Sequence, residues 1–249
     1  MEYNKVKLEY ESETDKKQVY LDDLAKIIIK SGAQLEGNCF YHNKTLKIFP
    51  ELYTKQLNLF WCGKQLSSHK ENTLKSPPLQ GDPSDHTGQC VSLICEIGFN
   101  AGHSTMLMLL SRDTEQVDFT IFDIGHHPYT RPAFEYIKSK FTHVNFEYIE
   151  GDSTITMPIW INDHPNLVHQ YDLVHVDGGH SEHCISNDMR NADILVREGG
   201  IIIIDDTDSH IINSYVNNYL ERGDYTELNV LKTFRCPHRI IRKGGQLSP

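Results

Sequence analysis

Five apolar runs of strand length punctuate residues 91–204, and a helix-length stretch follows each of them. The runs are 91–97 (VSLICEI), 117–124 (VDFTIFDI), 144–149 (VNFEYI), 171–176 (YDLVHV) and 200–204 (GIIII). The helical stretches are 102–112, 130–141, 153–162, 180–197 and 209–222. Strands that are apolar throughout, with a helix between each and the next, build a parallel sheet covered on both faces. The pattern predicts an α/β, doubly wound architecture. Two more strand-like runs, 226–234 and 238–243, are separated only by Arg235, Cys236 and Pro237. So short a link cannot hold a crossover helix, so this pair is expected to be antiparallel.

The first ninety residues lack this alternation. Residues 1–20 mix lysine and glutamate with few apolar positions and are expected to be poorly ordered. Asp22 can cap a short helix running through Lys30 and ended by Gly32. Pro50 opens a second, in which Phe49, Tyr53, Leu57, Phe60 and Trp61 recur at helical spacing. Residues 63–89 hold three prolines, three glycines and three acids without periodicity, which reads as a long loop. The expected organisation is therefore an N-terminal helical cap over 1–62, a flexible linker or lid over 63–90, and the main domain over 91–249.

Charge narrows the partners. Residues 1–90 carry 12 lysines and 12 acids, whereas 91–249 carry 12 basic residues and 22 acids, so the whole net charge of −10 lies in the second part. A nucleic-acid binder needs the opposite sign to displace counterions, and no nucleic-acid partner is expected. No membrane is expected either. The longest apolar run, 200–204, is far too short to span a bilayer, and the first residues lack the apolar region of a secretory signal. Six cysteines without a C-x-x-C pair read as reduced thiols, pointing to a cytoplasmic location. Oligomeric state is not fixed by these features, and a homodimer stays open.

Ligands of an open parallel sheet bind outside the carboxyl ends of its strands. All five strand ends carry a carboxylate: Glu96, Asp123, Asp152, Asp177, and the pair Asp205–Asp206. Gly98 and Gly102 follow the first strand, but Asn100 and His103 stand where a dinucleotide fingerprint wants glycine. An acid ahead of the loop repels a pyrophosphate and suits an ammonium group or hydroxyls. Asp123, 25 residues beyond Gly98, is placed to accept from two ribose hydroxyls. Asp152 serves either as a helix cap or as an acceptor for an exocyclic amine. Asp177, Asp205 and Asp206 end neighbouring strands and repel one another unless a cation neutralises them. All-oxygen ligation selects magnesium first, with manganese or calcium as alternatives; capping of the 209–222 helix is the competing role for Asp205 or Asp206. His180 is either a general base or a helix-terminal packing residue. His126 and His127 can line a pocket, and His103 and His183 are weaker candidates. Cys184 has no activating context.

The segments EIGFNAGHS, FTIFDIG, YIEGDS, YDLVHVDGGH and GGIIIIDDT, in this order and spacing, resemble class I S-adenosylmethionine-dependent methyltransferases. The nearest branch is the metal-dependent O-methyltransferases similar to the caffeoyl-coenzyme A and macrolide-sugar enzymes, of the methyltransferase domain family 24 type. The resemblance covers about residues 91–243. It implies a mostly parallel seven-stranded sheet with an antiparallel last strand. It assigns Glu96, Gly98, Asn100, Gly102 and Ser104 to the methionine part of S-adenosylmethionine, Asp123 to the ribose, and Asp152 with Ser153 to the adenine. It assigns Asp177, Asp205 and Asp206 to a divalent metal, with His180 beside the acceptor. The expected activity is O-methylation of a small-molecule or sugar hydroxyl. A non-catalytic protein that keeps the fold and an NAD-linked oxidoreductase are the competing readings; His103 in place of a glycine argues against the second.

Overall fold

The computed structural model describes residues 3–35, 53–73, 91–112, 115–228 and 237–244. Three helices precede the sheet: α1 (Tyr3–Lys16), α2 (Gln18–Ser31) and α3 (Tyr53–Thr73). The expectation of poor order before residue 20 is overturned by α1. Val6, Tyr10 and Thr14 lie on one face and are buried at a spacing of four. Tyr10 sets its ring edge against Phe60 at 5.6 Å and donates its hydroxyl to Gln56 at 2.8 Å, fixing α1 to α3. The next helix starts four residues ahead of Asp22 and ends at Gly32, whose φ of +71° supplies the left-handed cap. Helix α3 continues to Thr73, so residues 63–73 are helical and not the start of a loop. The remainder of the expected linker, 74–90, lies outside the described residues.

Gly63, the first residue of the expected loop, is a crossing point in the structure. A Cβ there would meet the Met108 carbonyl oxygen of α4 (His103–Leu110) at 2.3 Å. Arg112, almost fully buried, binds the Gly63 carbonyl at 3.0 Å and the Ser92 hydroxyl at 2.8 Å.

All five apolar runs are strands: β1 (Ser92–Ile97), β2 (Val117–Asp123), β3 (Val144–Glu150), β4 (Tyr171–Val176) and β5 (Val196–Ile204). They pair in parallel in the order β3-β2-β1-β4-β5. β5 begins four residues before the expected run, and its register with β4 shifts between Tyr171 and Leu173. β6 (Tyr225–Glu227) and β7 (Arg239–Lys243) complete a seven-stranded sheet in which β7 lies antiparallel between β5 and β6. The expected terminal antiparallel pair is present with a shorter first strand; residues 229–236 lie outside the described residues.

Successive strand residues feed two cores, as a period of two requires. Ile94, Ile121, Ile201 and Ile203 pack with α1–α4 and α5 (Thr130–Lys140). Cys95, Phe122, Ile202 and Ile204 pack with α6 (Ser153–Asp163), α7 (Glu182–Leu195) and α8 (His210–Glu221). The N-terminal helices thus form a second layer on one face, and the first turns of α3 reach the carboxyl ends of the strands.

Candidate active site

Strand order reverses between β1 and β4, which opens a crevice at their carboxyl ends. A cavity of about 490 Å³ occupies it, a size ordinary for small-molecule sites. Gly98 makes this junction possible. Its φ is +87°, and a Cβ would meet the Asp177 carbonyl oxygen at 2.0 Å, so only glycine lets the loop after β1 touch the loop after β4. Asn100, at φ +51°, directs its N–H to Asp123 Oδ2 at 2.8 Å, and the Gly125 N–H reaches Oδ1 at 2.7 Å. Asp123 is therefore held by two backbone donors in the cavity wall.

Of the residues expected to contact a cofactor, Gly98, Asn100, Ser104, Asp123, Asp152 and Ser153 line the cavity, and Glu96 and Gly102 do not. Glu96 is fully buried, and its oxygens are taken by the Ser104 and Thr105 hydroxyls and by His175 Nδ1 at 2.9 Å. It braces the loop from beneath. Gly102 starts α4 in a left-handed conformation. Asp152 caps α6, accepting from the Thr154 N–H at 2.9 Å and hydroxyl at 2.8 Å, and stays exposed at the cavity edge. Those Thr154 bonds hold its carboxyl below the usual range. Ser153 donates to Asp188 Oδ1 at 2.8 Å. Asp188 is fully buried, its Oδ2 has no hydrogen-bond partner, and burial pushes its pKa up to about 6.

The acids of β4 and β5 converge, with a change of membership. One donor atom from each of His175, Asp177 and Asp205 lies within 4.8 Å of the others. Asp206, at φ +51°, instead accepts from His180 Nε2 at 2.8 Å. His175 turns Nδ1 to Glu96, while its Nε2 is buried without a partner. Burial works against the His175 proton, but the Glu96 hydrogen bond and charge outweigh it and raise the pKa. Asp205 is almost fully buried, with Oδ1 unpartnered and Oδ2 accepting from Lys55 Nζ, 150 residues away on α3. Burial and the neighbouring Asp205 charge push Asp177 well up. Burial alone would raise Asp205, but Lys55 and two histidines hold it low. The cation that three clustered acids demand is thus supplied, in part, by the protein itself. Behind it, His238 Nε2 bonds the Asn58 amide at 2.9 Å, and burial pulls this histidine down to about 4.

His180 is exposed, and the Asp206 hydrogen bond raises its pKa. His103, His127 and Cys184 also line the cavity, whereas His126 and His183 do not. Burial lowers His103 to about 3, which keeps it neutral.

Sequence reading passed over Lys55, His175 and Asp188. His175 did leave a trace: it is the polar exception in an apolar run, two residues before Asp177 and so on the same strand face. Lys55 left none, since only the docking of α3 brings it to β5.

No curated protein matches the chain by sequence. Solved structures share its fold. Cofactor-bound Rv0187 from MTB matches at 11% identity with a TM-score of 0.53, over 91% of this chain and 90% of that one. CalS11, a TDP-rhamnose 3′-O-methyltransferase of calicheamicin biosynthesis, matches at 14% identity with a TM-score of 0.51, over 88% and 93%. A Klebsiella pneumoniae protein given as an inferred O-methyltransferase matches at 14% identity with a TM-score of 0.51, over 91% and 90%. A family model described as a methyltransferase domain matches residues 95–207, the span that holds all five strand-end acids and the glycine loop. Over that span the chain is similar to methyltransferase domains.

Proposed function

We propose that this protein transfers the methyl group of S-adenosylmethionine to a hydroxyl oxygen of a small molecule or sugar, with a divalent ion held by His175, Asp177 and Asp205. The observation that carries the reading is that one cavity holds both halves of such a reaction. The Gly98 loop and the fixed Asp123 carboxylate lie on its β1–β2 side, and the His180–Asp206 pair lies on its β4–β5 side.

The cofactor supplies an electrophilic methyl on sulfonium, and the ion would lower the pKa of the acceptor hydroxyl. The protein's own groups do the rest. Asp123 takes the ribose hydroxyls without reorganising, because two backbone donors already aim it. The first turn of α6, capped by Asp152, borders the place for the base. Asp206 holds His180 by Nε2, which leaves Nδ1 as the nitrogen to take the hydroxyl proton. The donor set fits an ion: His175 Nε2 and Asp205 Oδ1 are buried and unpartnered, and one donor atom from each of His175, Asp177 and Asp205 lies within 4.8 Å of the others. One nitrogen and two carboxylates suit manganese or a similar ion better than magnesium. With Asp206 turned to His180, its expected part in the metal shell passes to His175.

The free buried thiols of Cys62 and Cys95 favour a cytoplasmic setting. No helix among the described residues is long and apolar enough to cross a membrane. The acidic 91–249 half favours a small acceptor over a nucleic acid.

Calorimetry with S-adenosylhomocysteine and with NAD separates the readings. S-adenosylhomocysteine is expected to bind and NAD is not, and Asp123→Ala should lose about 1–3 kcal/mol of the binding. Heat from NAD alone would favour the oxidoreductase, and unchanged affinity in the variant would reject the Asp123 assignment. With a true acceptor in hand, His180→Ala should cut the rate by about two to four orders of magnitude while leaving S-adenosylhomocysteine affinity in place. A binding protein that only keeps the fold would show the affinity and no turnover with any acceptor.

A further inference from the structure

Lys55 belongs to no strand-end motif, yet its ammonium sits inside the acid cluster. It lies on the first turn of α3, its side chain 15% exposed, and donates to Asp205 Oδ2. The same helix is tied down nearby by Gln56, which accepts from Tyr10, and by Asn58, which meets His238. Asp205 Oδ1 and His175 Nε2, on residues more than nine-tenths buried, have no partner, and a donor atom of each residue lies within 4.8 Å of one from Asp177.

We propose that Lys55 is a tethered cation that competes with a divalent ion for the His175–Asp177–Asp205 cluster, so that ion binding and the docking of α3 oppose each other. This rests on the metal reading above and adds a control to it. Two carboxylates can balance one divalent ion, and an ammonium on the same Asp205 leaves them one charge short of doing so. An ion bound at Oδ1 also stands a few ångströms from the ammonium on Oδ2, where like charges repel strongly in a site closed to water. The ion therefore binds most tightly when Lys55 has swung away. Lys55 is carried by α3, so its departure loosens the helix that lines the cavity through Lys55, Gln56 and Leu59. An ion-free protein keeps its cluster partly neutralised and its α3 docked; an ion-loaded one trades that contact for a more open wall on the acceptor side.

The test is a manganese titration of the full chain, with free Mn²⁺ followed by electron paramagnetic resonance. Lys55→Met should bind Mn²⁺ about tenfold more tightly than the wild type, and Lys55→Arg, which keeps the charge, should stay within about threefold. Equal or weaker binding in Lys55→Met, or no binding in any of the three, overturns the proposal. Should Lys55→Met fail to fold, hydrogen exchange on the wild type decides. Saturating Mn²⁺ should speed amide exchange in the first turns of α3, and unchanged exchange with the ion bound overturns it. S-adenosylhomocysteine calorimetry on the same samples keeps the two readings apart. Affinity retained in every variant leaves the methyltransferase reading standing whatever manganese does, and absence of binding in the wild type sinks that reading alone.

Discussion

Asp188 is a carboxylate that folding buries without balancing its charge. One oxygen accepts from Ser153 and the other has no partner. Its pKa rises from about 3.9 in an unfolded chain to about 6 in the folded one, so the native state prefers the protonated form. The stability this group allows is therefore fully present below about pH 3.9 and declines as pH climbs through about 6. Above that, ionisation costs about 3 kcal/mol by the size of the shift. Asp188→Asn keeps an oxygen for Ser153 and removes the charge. It should stabilise the protein by about 1–3 kcal/mol at pH 7.5 and by nearly nothing at pH 4, read from urea unfolding. A difference independent of pH would mean that the carboxyl is not the cause. The same scale explains why two acids that looked alike in the sequence have different roles. Glu96 pairs in register with Ile121 and His175, two residues below Asp123 in the sheet. One acid is thus a layer deeper, where it meets hydroxyls and an imidazole, and the other reaches the cavity.

At the scale of elements, strands were easier to read than the N-terminal helices. Strands covered on both faces are apolar throughout, and that pattern survives in any local window. Helix α3 hides its length because its buried side includes Gln56 and Asn58, and its later turns, GKQLSSHKENT, carry a single leucine. Gly63 inside it is held by packing, since the α4 backbone approaches to where a side chain would stand. Gly63→Ala gains about 1 kcal/mol of helix propensity but forces α3 and α4 apart, a cost of about 1–3 kcal/mol and more where backbone is struck. A net loss of stability by chemical unfolding is expected, with S-adenosylhomocysteine affinity less affected. A net gain would show that the crossing is looser than the 2.3 Å approach indicates.

Taken as a whole molecule, the chain divides its labour between a neutral, lysine-containing N-terminal part and an acidic sheet domain. The docking of one on the other is where the site acquires its cation. The sequence by itself determined the α/β class, the parallel core of the sheet, the terminal antiparallel pair and the row of acids at the strand ends. Each follows from local periodicity, from the length of a link, or from the rule that parallel strands present their carboxyl ends on one side. Only the tertiary structure decided which acids face a ligand. Register put Glu96 beside His175 and sent it inward. A left-handed backbone at Asp206 presents its carboxylate to His180. Helix packing carried Lys55 across 150 residues to the end of β5. Contacts of that kind depend on the relative placement of elements distant in sequence, and no window of neighbouring residues encodes that placement.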